Sequence, residues 1–262
     1  MTSSFRTPVV AVLAFVVASC SDTTGPQTVE TEWSGTLDQG QTIEIKGING
    51  GIFATSASGN SVIVNASKEG DNNDPAEVEI EVVVHSGGVT ICAVYPDVPG
   101  EPPNECAPGT EGRMNTRDND VEVTFWVEVP AGVDFVGSTV NGTVSGTDLS
   151  SNAYACTVNG DVNFSTSQLA TATTVNGSID ARIGLTDWDY DLAYTTVNGN
   201  ISVFVPTGTN ADVHLHTVNG SITADLSLTI VSPGDIRGVL GNGGRTLALT
   251  TVNGNLVLDS GS

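Results

Sequence analysis

Residues 187–191, with the sequence DWDYD, alternate three carboxylates with two aromatic rings. If this segment is extended, Asp187, Asp189 and Asp191 share one face and the two aromatic rings share the other. Carboxylate oxygens are ligands that Ca²⁺ accepts, and aromatic rings stack on sugars. The pattern leaves two alternatives open: a Ca²⁺ site, which would be the only cofactor site indicated, or a solvated acidic turn.

Two histidines form a second pattern of metal-ligand type. His214 and His216 fall on the same face of a strand, but the spacing of other residues indicates no third ligand. The alternative is that both imidazoles are exposed or hydrogen-bonded. The sequence contains no nucleophile elbow, zinc-protease, phosphate-loop or dinucleotide motif. It therefore predicts a protein that is not an enzyme and indicates no catalytic residue.

A tetrapeptide repeat is the main feature of the chain. Thr-Val-Asn-Gly begins at Thr139, Thr157, Thr174, Thr196, Thr217 and Thr251. The steps between copies are 18, 17, 22, 21 and 34 residues, and the last is twice 17, which predicts a degenerate copy near 237–242. A related tetrapeptide, Gly-Ile-Asn-Gly, occupies 47–50. Repetition at such a period is typical of arrays of stacked units.

Hydrophobic residues around each tetrapeptide follow a period of two. After the motif they recur as in Ile201 and Val203, and before it as in Leu192 and Tyr194. This alternation predicts a strand with one buried face on each side of the motif. The two sets differ in parity, so the chain must bend at the motif, where Asn-Gly tolerates turn conformations. Each repeat is predicted to be strand, corner, strand and return.

Two architectures can use such a unit. In a parallel β-solenoid each repeat is one coil stacked on the last, whereas in a meander Asn-Gly closes antiparallel hairpins. The identical tetrapeptides favour the solenoid, because stacked coils place like residues on like. The asparagines would then form a ladder of amides: Asn141, Asn159, Asn176, Asn198, Asn219 and Asn253. The alternative is that each asparagine serves only its own turn.

The chain before the repeats is also predicted to be β-structure, so the fold class is all-β without a long helix. Alternating segments occupy 41–46, 61–65, 77–85 and 120–129. Acidic stretches rich in Gly, Pro and Asn, 68–75 and 95–119, read as surface excursions. We expect an N-terminal β region over 33–135 with the Pro-rich insertion, and a repeat region over 136–262. Together, 33–262 would form one continuous domain.

Two segments carry a resemblance to a known family. Residues 121–146 (VEVTFWVEVPAGVDFVGSTVNGTVSG) and 40–68 resemble the bacterial putative-adhesin β domain, with a weaker likeness to head GIN adhesin-like domains through 47–50. That resemblance implies repeated Val-Asn-Gly coils and a role in adhesion. It implies no catalytic residues. The acidic Pro-rich insertion does not match the family pattern.

The N-terminus predicts export and lipidation. Residues 1–19 have the charge and the short apolar run of a signal peptide, and 9–17 is too short to span a bilayer. Val17-Ala18-Ser19-Cys20 resembles a bacterial lipobox, which implies acylation of Cys20. Residues 20–32 are predicted to be a flexible tether. Ser21 after the cysteine favours the outer membrane.

Three further cysteines follow Cys20. Cys92 and Cys106 flank the Pro-rich segment, and export permits a disulfide that closes this loop. Cys156 is then unpaired and is predicted to be a small packed residue.

Charge narrows the choice of partners. The chain has 30 Asp and Glu against 8 Lys and Arg, which excludes binding to nucleic acid phosphates.

The prediction is a non-catalytic, lipid-anchored envelope protein that is adhesin-like, with a structural role or a glycan or protein partner. Self-association as an envelope scaffold or a sensor role is the alternative, because the last coil ends close to Ser262 and leaves little sequence for a cap. A polysaccharide-active β-helix enzyme is disfavoured, since only Arg182, Arg237 and Arg245 follow Arg117 as cations.

Overall fold

The computed structural model describes residues 27–224, 229–232 and 234–261. The predicted signal peptide and Cys20 lie outside these residues. The strands are β1 (Gln27–Gly35), β2 (Thr42–Lys46), β3 (Ile52–Ser56), β4 (Val62–Gly70), β5 (Glu79–His85), β6 (Gly88–Val94), β7 (Glu122–Val129), β8 (Asp134–Ser138), β9 (Val144–Leu149), β10 (Ala153–Cys156), β11 (Val162–Thr166), β12 (Ala170–Thr173), β13 (Ile179–Arg182), β14 (Leu192–Thr195), β15 (Ile201–Pro206), β16 (Ala211–Asn219), β17 (Ile222–Ala224), β18 (Thr229–Ser232), β19 (Asp235–Leu240), β20 (Thr246–Asn253) and β21 (Leu256–Gly261). The helical content of the described residues is one 3₁₀ turn, Pro75–Glu77, and none of their helices is long and apolar enough to cross a membrane.

The strands form two open sheets. Sheet A has the order β1-β4-β7-β3-β9-β11-β13-β15-β21-β17, and sheet B has the order β18-β19-β16-β20-β14-β12-β10-β8-β2-β6-β5. From β8 to β15 successive strands alternate between the sheets, and from β10 onward each pairs in parallel with the strand two places earlier. The all-β prediction is confirmed. The hairpin alternative is wrong for the repeats, because each tetrapeptide joins strands of different sheets.

The core lies between the two sheets and is built from the predicted alternating positions. Ile201 and Val203 of β15 and Leu192 and Tyr194 of β14 are all fully buried. Period-two alternation points one face of each strand inward, so two facing sheets bury both apolar faces together. Tyr194 keeps its hydroxyl satisfied by donating to the Ala170 carbonyl at 2.7 Å, and burial raises the pKa of this phenol.

The coils do not stack in chain order. β20 lies between β14 and β16 in sheet B, and β21 lies between β15 and β17 in sheet A. The last coil of the sequence is therefore enclosed, and the exposed terminal coil assumed for self-association is absent at this position. The degenerate copy predicted near 237–242 is also wrong, since β19 pairs antiparallel with β16 and covers its outer edge.

The N-terminal end departs from the predictions in two places. β1 pairs antiparallel with β4 from Gln27 onward, so residues 27–32 of the predicted tether belong to the sheet. β6 was not anticipated, because six of its seven residues are buried and its sequence does not alternate. β6 is covered on one edge by β2 and on the other by β5, which leaves β1 and β5 as the edge strands at this end.

The first predicted surface excursion, 68–75, is held to the start of the alternating segment 120–129 by one carboxylate. Asp120 accepts hydrogen bonds from the backbone N–H groups of Asn72 and Asn73 and from the Asn72 amide. These donors hold the pKa of the exposed Asp120 carboxyl below its usual range.

Candidate functional site

The tetrapeptides form the edge at which the chain passes from sheet B to sheet A. The asparagines of successive coils bridge one another in the stacking direction. In each rung after the first, Nδ2 donates to the Oδ1 of the preceding asparagine in the stack at 2.7–2.9 Å. We call this row the amide ladder; its rungs in spatial order are Asn49, Asn141, Asn159, Asn176, Asn198, Asn253 and Asn219.

Two features of the amide ladder were not anticipated. Asn49 supplies its first rung, although it lies 92 residues before Asn141. The signal for it was the related tetrapeptide at 47–50. The last two rungs are reversed relative to the sequence. Asn253 donates to Asn198, and Asn219 donates to Asn253.

The threonines form a second, buried row. They are between 0 and 5% exposed, and each hydroxyl donates to a glycine carbonyl of the neighbouring coil at 2.9–3.1 Å. A buried hydroxyl without a partner costs free energy, so the stacked carbonyl makes threonine acceptable at this corner. The donors are Thr139, Thr157, Thr174, Thr196, Thr251 and Thr217.

The glycines allow the corners to approach closely. A Cβ added at Gly160 would lie 2.0 Å from the carbonyl oxygen of Gly142, and one at Gly177 would lie 1.9 Å from that of Gly160. Real Cβ atoms never come so close to backbone, so only glycine permits this stacking distance. Three of the four motif residues are therefore committed to contacts between coils.

The valine of each tetrapeptide faces solvent instead. Val140, Val158, Val175, Val197 and Val252 are each 37–38% exposed, and Val218 is 62% exposed. They line up beside the amide ladder as a narrow apolar stripe. In the first coil the equivalent residue, Ile48, is buried.

The segment 187–191 does not assemble the predicted sites. Trp188 is buried in the core whereas Tyr190 is exposed, so the prediction that the two rings share a face is wrong. Asp187 accepts from the N–H of Trp188, and Asp191 accepts from the N–H of Thr246 at 2.9 Å, which ties this loop to β20. Among the described residues no three His, Cys, Asp or Glu side chains, these aspartates included, are grouped to hold a metal ion.

The histidine pair has a charged neighbour rather than a third metal ligand. His214 Nε2 lies 3.3 Å from Asp235 Oδ1, and the two imidazole centroids are 6.3 Å apart. Arg237 Nε donates to the same Asp235 oxygen, and this bond, followed by the nearby cationic charges, lowers the pKa of Asp235. The arrangement links β16 to β19 across the sheet.

A disulfide and a buried ion pair hold the Pro-rich loop. Cys92 on β6 is bonded to Cys106, with a Cα–Cα distance of 5.7 Å. Lys46 Nζ donates to the carbonyls of Ala107 and Gly109, and lies 3.6 Å from a Glu44 oxygen. Cys156 is a free, half-buried thiol on sheet B, and burial raises its pKa.

We expect reduction of the disulfide to lower the free energy of unfolding by about 3 kcal/mol, the loop-entropy value for a closed loop of about 15 residues. The sequence separation of the two cysteines is 14. Urea unfolding with and without dithiothreitol measures the change. The Cys156→Ser variant should respond to the reductant like the wild type, and Cys106→Ser should not respond. Equal midpoints for the reduced and oxidised wild type would contradict the prediction.

The outer face of sheet A carries a row in which polar side chains bond the next coil. Asp161 accepts from the N–H of Ser178, and Asn200 accepts from the N–H of Asn255. Asn255 in turn accepts from both the N–H and the hydroxyl of Ser221. We call these residues, with Ser178 between Asp161 and Asn200, the capping row.

An aromatic pair on the same face was missed. Phe53 of β3 and Trp126 of β7 are register partners, 36% and 47% exposed. Trp126 points away from its buried neighbours in the alternating strand β7. No local signal could place Phe53 beside it, because β3 reaches β7 only through the tertiary fold.

The chain is similar to solved structures but matches no family model. No curated protein matches it. A solved structure of a putative cell adhesion protein from Clostridium sporogenes ATCC 15579 is similar, with a TM-score of 0.46 and 10% sequence identity. The similarity covers 88% of this chain and 100% of that one. The resemblance to the adhesin β domain family therefore stays a prediction.

Proposed function

We propose that this protein is a non-catalytic, lipid-anchored envelope protein whose stacked coils form a β-solenoid that presents binding surfaces outside the cell. The observation that carries the proposal is the pair of hydrogen-bonded rows at the corners. Six amide-to-amide bonds and six threonine-to-carbonyl bonds join seven coils from Asn49 to Asn219.

These rows support a rigid display scaffold. Every coil repeats the same contacts, so the lateral faces keep one spacing, about 4.8 Å between neighbouring strands. Sheet A has ten strands, and nine such spacings give a stack about 43 Å long. A surface of this kind suits a long or repetitive partner better than a small molecule.

The strand that follows the predicted lipid anchor lies at one end of the stack of coils, which supports display of the rest. β1, the first strand of the described residues, is an edge strand of sheet A, and β17 is the opposite edge. With Cys20 acylated, the β1 end lies nearest the membrane and the coils extend from it. The surplus of 22 negative charges keeps the scaffold away from anionic lipid headgroups.

Protease treatment of intact cells tests this function. We expect externally added protease to remove the wild-type protein from the cells. Cys20→Ser should be recovered outside the membrane fraction, because it lacks the acylated thiol. A cytoplasmic protein and a periplasmic protein serve as controls for cell integrity. A wild type that is membrane-bound but protected would contradict display, and membrane-bound Cys20→Ser would contradict the lipid anchor.

A further inference from the structure

We propose that the outer face of sheet A binds a neutral polysaccharide, with Phe53 and Trp126 stacking on its sugar rings. This inference deepens the proposed function, because it gives the chemical class of the partner. Phe53 and Trp126 are partners in adjacent parallel strands, so their Cα atoms are one strand spacing apart. Both rings are exposed on the outer face of sheet A, side by side across the two strands.

The ring of Phe53 lies over a glycine. A Cβ at Gly51, two residues earlier on the same face, would lie 2.7 Å from ring atom Cε2. The ring therefore fills the space that a side chain at position 51 would take. A residue larger than glycine would displace the ring, so Gly51 is what allows the Phe53 ring to lie along the surface of the sheet.

Polar side chains on the neighbouring strands of sheet A extend the two rings into one row across the face. Asn65 is the register partner of Trp126, and Ser145 is that of Phe53. Asn163 and Asp180 follow on the next two strands. In the described part of the chain, these four side chains make no hydrogen bond, ion pair or ring contact.

Polar side chains of the capping row bond neighbouring coils, whereas those beside the two rings do not. The side chains of Asp161, Asn200 and Asn255 lie on the same face, yet each accepts a hydrogen bond from the next coil. Asn163 and Asp180 also belong to strands that are paired on both sides, but their donors and acceptors remain open to solvent. Two aromatic rings flanked by free amide, hydroxyl and carboxylate groups match a sugar, which has apolar C–H faces and a rim of hydroxyls.

The charge of this row favours a neutral polymer over an anionic one. The row contains Asp180 and no cationic side chain. Arg182, two residues further along β13, has its guanidinium carbon 3.8 Å from the centroid of the Phe204 ring and is already engaged there. Regular strand spacing along the row also suits a ligand with repeating units.

Tryptophan fluorescence gives a direct readout. Trp33 and Trp188 are buried, so Trp126 is the exposed indole among the described residues. The purified mature protein is titrated with soluble dextran, laminarin and galactomannan, and with alginate as the anionic control. We expect at least one neutral polymer, but not alginate, to shift the emission to shorter wavelength and to protect it from acrylamide.

Three variants test the site, with affinity gel electrophoresis as the second measurement. Trp126→Ala and Phe53→Ala should each weaken binding about tenfold or more, as removal of a central aromatic contact does. Tyr154→Ala is the matched control, because Tyr154 is 41% exposed on sheet B, and it should bind like the wild type. Thermal melting shows that each variant is folded.

The results separate this inference from the proposed function. Absence of binding to all neutral polymers, binding to alginate alone, or equal loss in Tyr154→Ala would overturn the glycan site. Binding of a basic peptide that quenches Trp126 without any polysaccharide binding would also overturn it. If protease removes the protein from intact cells but the purified protein binds no glycan, surface display is supported and only the glycan site is overturned. Glycan binding by a protease-protected protein supports the site and contradicts display.

Discussion

Gly177→Ala is expected to lower the free energy of unfolding by about 3 kcal/mol or more, at the upper end of the range for overpacking. A Cβ at position 177 would lie 1.9 Å from the Gly160 carbonyl oxygen. That oxygen cannot retreat without cost, because it accepts the Thr174 hydroxyl at 2.9 Å. The new methyl group therefore either separates two coils or breaks the threonine bond, which would leave a buried hydroxyl unpaired.

The matched control is Gly59→Ala. Gly59 has no atom within 4 Å of an added Cβ and has no left-handed φ. This variant should unfold within about 0.5 kcal/mol of the wild type, as surface substitutions do. Urea unfolding followed by circular dichroism compares the two. If both alanines changed stability equally, the close approach of the corners would not be what requires glycine.

Leu249→Asp should release β16 to β21 from the stack, a pattern that chain order does not predict. Leu249 is fully buried in β20, where its register partners are Tyr194 of β14 and Leu215 of β16. An unpaired carboxylate in this core costs several kcal/mol and expels the strand, because burial of a charge is unfavourable. With β20 and β21 displaced, β16 and β17 lose their neighbours in both sheets.

Hydrogen–deuterium exchange shows which strands lose protection. For Leu249→Asp we expect loss in β16 to β21, because β18 and β19 join the sheet through β16, while β8 to β13 keep their protection, since local stability is set by neighbouring coils. Leu215→Asp is the matched control from the adjacent coil. It should free β16 to β19 but leave β20 and β21 paired with β14 and β15.

A stack built in chain order would give the reverse result. There Leu215→Asp would also release β20 and β21, and Leu249→Asp would leave β16 protected. Observation of that pattern would contradict the inserted position of the last coil. The two variants carry the same chemical change at equivalent buried positions, so only the order of the coils distinguishes them.

The sequence was informative wherever a contact recurs at a fixed period. Alternation identified the buried face of β14 and β15, and the tetrapeptides indicated amide stacking. The same reasoning failed at 187–191, because it assumed an extended segment. Trp188 turns into the core and Asp191 bonds β20, which removes the two faces that alternation requires.

Only the structure showed that the threonines point inward, the valines outward and the glycines stack. The sequence by itself determined the local unit: strand, corner and strand, with the asparagines of successive copies stacked. Each of these follows from side-chain size, polarity and backbone freedom at one corner. The tertiary structure decided the order of the units. Because every corner offers the same donors and acceptors, any two can stack, and the tetrapeptides do not distinguish Asn253 from Asn219 as the neighbour of Asn198. The order is set by the pairing of β20 with β14 and β16 and of β21 with β15 and β17. Pairing within sheet A also brought Phe53 beside Trp126 across 73 residues of sequence.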